Sequence, residues 1–231
     1  MKCSKCKNSA VKNGKQPNGK QRYYCKNCKS SFQKRYSYIA YHKKINTKIY
    51  HLLKESVGIT STSRLLHISK TTVINRIKKM AAQIVKPNFN EKHQYYELDE
   101  MRIVVGSISN EAWLTYAINR NTKKVINFVV GRRTKRNLSL ITKSILQLNP
   151  RKVFTDRLST YKNLIPKNLH NSQKSNTTII ERNNLTLRTH LKRLTRKTIC
   201  YSKNFEMVEA TLRLYFWEHE FNTKKLSLIK F

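Results

Sequence analysis

Four of the five cysteines stand in two pairs, Cys3-Ser4-Lys5-Cys6 and Cys25-Lys26-Asn27-Cys28, with 18 residues between them. Two short cysteine turns joined by a loop of that length match a four-cysteine zinc site of ribbon type, in which a hairpin carries one pair to the other. Asn13-Gly14 and Asn18-Gly19 supply turn signals inside the loop. The surrounding lysines favour the thiolate form, which is the form that binds metal. Four thiolates fill a tetrahedral ion, so the zinc expected at Cys3, Cys6, Cys25 and Cys28 is structural. Disulfides are not expected in a basic chain whose first residues, MKCSKCKNSA, hold no apolar run. Cys200, between Ile199 and Tyr201, reads as a small buried hydrophobe.

Charge narrows the partner. Lysine and arginine number 48 against 12 acids, a formal net charge of +36 over 231 residues. Such a charge opposes compaction unless a polyanion is near, which points to nucleic acid. A hydrophobic share of 39% is enough to build a core. No apolar stretch approaches the roughly 18 residues of a bilayer helix, so no membrane partner is expected.

Behind the cysteines the apolar period becomes helical. Ile45, Ile49, Leu52 and Leu53 mark a first helix ending near Val57-Gly58. A short second helix is expected over 61–66, and a third over 70–84, with Ser69 as its N-cap. Val73, Ile77 and Met80 form the buried stripe of the third helix. Lys70, Thr71, Asn75 and Lys78 lie on its other face and are residue types that meet base edges and phosphates in a major groove. This is a helix-turn-helix pattern, with His67 where the turn usually carries glycine. Pro87-Asn88-Phe89-Asn90 reads as the linker that closes this half.

Beyond it, strands are expected over 97–107, 112–119 and 124–131, with a turn at Asn119-Arg120-Asn121-Thr122. A helix over 136–147, a strand over 152–155, a possible short strand near His170, a basic helix over 179–196 and a last helix over 204–221 follow. Three strands in a meander, a helix, a strand and further helices are the succession of a ribonuclease-H-like fold. The predicted architecture is therefore an α/β catalytic domain of that class behind a zinc ribbon and a helix-turn-helix domain. The boundaries are 1–36 for the ribbon, 37–86 for the helical domain, 87–95 for the linker and 96–231 for the catalytic domain.

The acids are sparse enough to be informative. Asp99 and Asp156 are the only aspartates, and between residues 101 and 205 the only acids are Glu111, Asp156 and Glu181. Asp99 falls in the first strand, Asp156 at the end of the fourth, and Glu181 at the start of a helix. In a ribonuclease-H-like sheet these three places converge, and three carboxylates can hold two Mg²⁺ ions, which prefer hard oxygen ligands. Glu97 shares a strand face with Asp99 and is the rival ligand, whereas Glu100 points to the other face. Glu111 reads as a solvated turn residue. Arg182, Arg188, Lys192, Arg193, Arg196 and Lys197 form a cationic stripe beside Glu181, suited to phosphates.

The chain resembles the insertion-sequence-one family of transposases, which are DDE-type recombinases. The resemblance rests on the cysteine ribbon with Gln21-Arg22-Tyr23-Tyr24-Cys25, on Glu97-Leu98-Asp99-Glu100, Trp113-Leu114-Thr115-Tyr116-Ala117, Gly131-Arg132-Arg133-Thr134 and Thr155-Asp156. The block from Ile180-Glu181-Arg182-Asn183-Asn184 to Tyr201-Ser202-Lys203 is the longest match. The resemblance implies that Asp99, Asp156 and Glu181 are the catalytic triad, with Mg²⁺ or Mn²⁺ as cofactor. It further implies binding of double-stranded DNA at the terminal repeats of a mobile element, strand cleavage and transfer into target DNA, a homo-oligomer on DNA, and a bacterial cytoplasmic, nucleoid-associated location. Arg102 stands where the family usually has an aromatic, and Arg157 where it has a glycine. The alternatives are a DNA-binding regulator of the element that lacks catalysis, or a decayed, inactive transposase.

Overall fold

The computed structural model describes residues 1–42, 44–173, 176–195 and 198–217. They form two compact units, Met1–His42 and Lys43–Phe231.

In the first unit, strands β1 (Val11–Lys15), β2 (Gln21–Cys25) and β3 (Ser30–Gln33) make an antiparallel meander. Cys3, Ala10, Cys25 and Phe32 form its small core. The two Asn-Gly pairs do different work. Gly19, at φ 76°, closes the turn between β1 and β2, with its N–H on the Gln16 carbonyl at 2.8 Å. Gly14, at φ 66°, lies inside β1 where the pairing register shifts, so it makes a bulge and not a turn.

The second unit begins with helices α1 (Ile45–Lys54), α2 (Ile59–Leu65) and α3 (Lys70–Ala82). Ser69 caps α3, its hydroxyl accepting from the Thr72 N–H at 3.0 Å. His67 adopts φ 50°, the left-handed conformation that usually calls for glycine in such a turn. Arg76 is buried in α3 and donates to Asn46 Oδ1 at 3.0 Å, joining α3 to α1 through a polar contact that the apolar period does not reveal.

Strands β4 (Tyr95–Val105), β5 (Ser107–Asn119), β6 (Val125–Gly131), β7 (Lys152–Phe154) and β8 (His170–Asn171) form a sheet in the order β6-β5-β4-β7-β8. The first three pair antiparallel, and β7 and β8 run parallel to β4. Helix α4 (Lys135–Leu146) covers one face through Leu138, Ile141 and Ile145, and the short α5 (Ser159–Lys162) adds Tyr161 to that core. Helix α6 (Thr178–His190) lies against β4, and α7 (Phe205–Trp217) against β6.

Two expectations change here, and the last helix gains its packing partners. The basic helix stops at His190, not Arg196. The Ser56 hydroxyl, from the loop after α1, donates to the Thr189 carbonyl at 3.0 Å and accepts the Lys192 N–H at 3.1 Å. A side chain inserted into the ladder ends the helix, and a 3₁₀ turn over Lys192–Leu194 follows. Cys200 is exposed, in a loop where Ile199 is also open to solvent. Finally, α7 is core on more than one side. Trp217 Nε1 donates to the Val125 carbonyl at 3.0 Å, while α7 also packs on α3 and α1. The end of the expected last helix, 218–221, lies outside the described residues. Among the described residues no helix is long and apolar enough to cross a membrane.

Replacing Ser69 with alanine removes one N-cap bond without touching the core. A loss of about 1 kcal/mol is expected, read as a lower denaturant midpoint with an unchanged slope.

Candidate active site

Side chains alternate across a strand, so Glu97 and Asp99 face α6 while Glu100 faces α5. β7 pairs with β4 as Glu97↔Phe154, and continuing that register sets Asp156 level with Asp99. Because β7 ends at Phe154, Asp156 sits past the strand, at an edge reached from both faces. Carboxylate oxygens of Asp99, Glu100 and Asp156 therefore come within 4.8 Å of one another.

Each acid is held by its own contacts. Asn184 Nδ2 donates to Asp99 Oδ2 at 2.7 Å, and Asn184 Oδ1 accepts from Tyr116 OH at 2.8 Å. Tyr161 OH donates to Glu100 Oε1 at 2.7 Å, and Arg133 Nη2 to Glu100 Oε2 at 3.1 Å. The same Arg133 nitrogen lies 3.6 Å from Asp156 Oδ2. The Leu158 N–H bonds Asp156 Oδ1 at 3.0 Å, an Asx-type turn that orients the carboxylate. Burial, helped by the charges of Glu100 and Asp156, pushes the Asp99 carboxyl up to about 6. Burial also raises Glu100, against the pull of Tyr161 and Arg133.

Glu97 is fully buried and serves α6. Its Oε2 accepts the Ile180 N–H at 2.8 Å, and Arg120 Nε stands 3.0 Å from Oε1 without the alignment of a hydrogen bond. Glu181 is exposed and takes a 2.7 Å bond from the Thr177 hydroxyl. It lies one helical turn before Asn184, about 4.5 Å along the axis, outside the cluster of three. Arg157 points to solvent, and Arg102 pairs with Glu111 at 2.9 Å, so neither intrudes on the carboxylates.

The cysteines form a second candidate centre in the first unit. All four sulfurs lie within 4.8 Å of one another, and the Cys3–Cys28 and Cys6–Cys25 separations are each 3.5 Å. Tetrahedral zinc at 2.3 Å from each sulfur sets neighbouring sulfurs about 3.8 Å apart, so the donor set fits that ion. Backbone N–H bonding from Cys6 leads in bringing Cys3 down to about 6. At Cys25 the Cys28 N–H lowers the pKa, but burial and the thiols of Cys6 and Cys28 outweigh it and push it up to about 11. Four such thiols are hard to ionise together without a cation.

The family model described as IS1 transposase matches residues 94–222, more than half of the chain. The chain belongs to the IS1 transposase family. The insertion element iso-IS1n protein InsB of Shigella dysenteriae is 38% identical over 125 residues, 54% of this chain and 95% of that protein. The insertion element IS1 2 protein InsB of Escherichia coli (strain K12) is 35% identical over 119 residues, 52% of this chain and 71% of that one. Among solved structures, the simian T-cell lymphotropic virus intasome in complex with PP2A regulatory subunit B56 gamma gives a TM-score of 0.37 at 14% identity. That alignment takes in 71% of this chain and 65% of the other, just under two thirds of its length.

In this transposase the expected DNA-contact residues are unequally free. Lys70, Thr71 and Asn75 are exposed on the first half of α3, whereas Lys78 forms an ion pair with Glu206 of α7. Arg182 and Lys192 are exposed. Arg188 is half-buried, and Arg193 turns inward, its Nη1 on Ser202 Oγ at 3.3 Å. Arg196 and Lys197 lie outside the described residues. Sequence reasoning missed Asn184, Tyr161, Arg133 and the proximity of Glu100. Asn184 was findable from its i+3 spacing to Glu181; the contacts of Tyr161 and Arg133 with Glu100 join residues 61 and 33 positions apart, which no local pattern shows.

The raised Asp99 pKa fixes a pH dependence. Its unfolded value is near 3.8, so between pH 4 and 6 the folded state binds the extra proton and stability falls as pH rises. In chelator, Asp99→Asn is expected to gain up to about 3 kcal/mol over wild type above pH 6, with the gain vanishing below pH 4 in denaturant titrations.

Proposed function

We propose that this chain binds the terminal repeats of its own insertion element and catalyses DNA strand cleavage and transfer, with Asp99, Asp156 and Glu181 as the catalytic acids. The observation that carries the reading is the meeting of Asp99 and Asp156 at the sheet edge, with Glu181 on the helix that bonds Asp99. The strand order β6-β5-β4-β7-β8, three antiparallel then two parallel, supports a ribonuclease-H-like catalytic domain over 96–231. The fit of the acids to a hard divalent ion supports Mg²⁺ or Mn²⁺ there. When bound, that metal supplies Lewis-acid stabilisation of the charge that develops on phosphate oxygens.

The chain's own side chains do the rest. Asn184 fixes the rotamer of Asp99, and the Leu158 N–H fixes Asp156. Glu97, by holding the Ile180 N–H, sets the position of α6 and hence of Asn184 and Glu181. Arg182, Arg188, Lys192, Arg196 and Lys197 are the proposed phosphate contacts of this half, and Arg193, turned onto Ser202, supports that stripe from within. Lys70, Thr71, Asn75 and Lys78 on α3 read the terminal repeat as a helix-turn-helix in domain 37–86, which 87–95 links to the catalytic domain. Cys3, Cys6, Cys25 and Cys28 hold a structural zinc in a ribbon over 1–36. Two ends must be held at once, so a homo-oligomer forms on DNA. The location follows the family, bacterial and cytoplasmic with the nucleoid.

Asp156→Ala is expected to abolish strand transfer on element-end DNA with Mg²⁺ while leaving binding of that DNA nearly intact. Wild-type protein that binds the ends but never cleaves them with any divalent ion would instead be a regulator. Metal analysis should find one zinc per chain, and Cys25→Ser should lose both the zinc and the protease resistance of the first unit.

A further inference from the structure

Beyond the carboxylate cluster lies a cleft that neither the triad nor α3 uses. It has a volume of about 550 Å³, between the β4–β5 hairpin end, the end of β6 and the start of α7. Trp113 and Phe205 line it with Arg132 and Arg133. Phe205 is 47% exposed although it opens a helix that is otherwise mostly core. Arg132 is exposed, and Glu111, the acid in the lining, is paired with Arg102 at 2.9 Å.

The cleft is joined to the cluster by one side chain. The Arg133 guanidinium lies 4.8 Å from the centre of the Trp113 ring, and its Nη2 reaches Glu100 and Asp156. A chain of alternating phosphates and flat bases suits that lining. Arginines take phosphate as paired donors, aromatic rings stack on any base, and neither reads sequence. The hairpin end is braced where a strand would press on it. Gly106, at φ 81°, donates to the Ser202 carbonyl at 2.8 Å, tying the hairpin to the segment that leads into Phe205.

We propose that this cleft is a subsite for unpaired DNA, holding the strand next to the reacting phosphodiester, with Phe205 stacking on a base and Arg132 contacting a phosphate. Arg133, anchored on Glu100 and Trp113, sets the boundary between subsite and carboxylates. The subsite rests on the transposase reading above and gives it a strand path.

The test uses the full chain in chelator, where no cleavage occurs. The ligand is an element-end duplex with a short unpaired extension carrying 2-aminopurine. Wild type should quench the 2-aminopurine on binding. Phe205→Ala should lose the quench and bind the extended duplex roughly five- to ten-fold more weakly, while binding a fully paired duplex as before. Arg132→Gln should lower the salt slope for the extended duplex by about 0.7, one phosphate on a single strand. Both side chains are exposed, and unchanged melting midpoints confirm that the variants fold. If wild type binds but shows no quench, or if both variants keep the wild-type quench and slope, the cleft is not the path and the transposase reading stands. If wild type binds no DNA, both fall.

Discussion

Three carboxylates within 4.8 Å of one another repel unless something positive stands among them, and much of the second unit is arranged around that repulsion. Arg133 meets part of it from one face of the sheet, lying between Glu100 and Asp156. Among the described residues no cation pairs with Asp99, whose bonded partner, Asn184, is neutral. The rise of the Asp99 carboxyl to about 6 is the cost of that asymmetry. A chain with 48 cationic side chains has ample means to neutralise an aspartate. On the proposed function, an amide at this position leaves the charge to the divalent ion.

Holding such a cluster needs rigid neighbours, and these come from both faces. Asp99 is fixed through α6, and α6 is fixed in turn by the buried Glu97 at its first N–H groups. A carboxylate at a helix N-terminus is favourable, as the dipole and free N–H groups there attract negative charge. Glu97 and Asp99 share a strand face and differ in task. Glu97 is taken up by backbone and Arg120; Asp99 is bonded through Oδ2 to the amide of Asn184. Glu100 works from the opposite face, where Tyr161 and Arg133 hold both its oxygens.

The order of strands and helices was legible in the sequence because each element carries its own period, turn residues or caps. Ser69 and the α3 stripe are examples. Asp99 and Asp156 were legible as partners because acids are so rare in this chain. What was not legible depended on chain ends within the sheet. Alternation correctly sent Glu100 to the other face, but only the early end of β7 opens Asp156 to both faces. The stop of α6 at His190 was hidden for a similar reason: the interrupting hydroxyl belongs to Ser56, more than 130 residues earlier. Cys200 misled because a local apolar context says nothing about whether its loop is covered.

The second unit also couples its two halves more closely than a linker at 87–90 suggests. Helix α7 keeps one charged edge, Glu206, Glu209 and Arg213, and buries Met207, Val208, Ala210, Leu212, Leu214 and Trp217, so it must be covered on more than one side. The sheet covers one side through Phe128, Phe216 and Trp217; α1 and α3 cover another. The Lys78–Glu206 pair sits on that second contact, so the later half of α3 faces α7. The earlier half exposes Lys70, Thr71 and Asn75. Because α7 begins at Phe205, which lines the cleft, a single helix packs against α3 along its length and borders the cleft at its start.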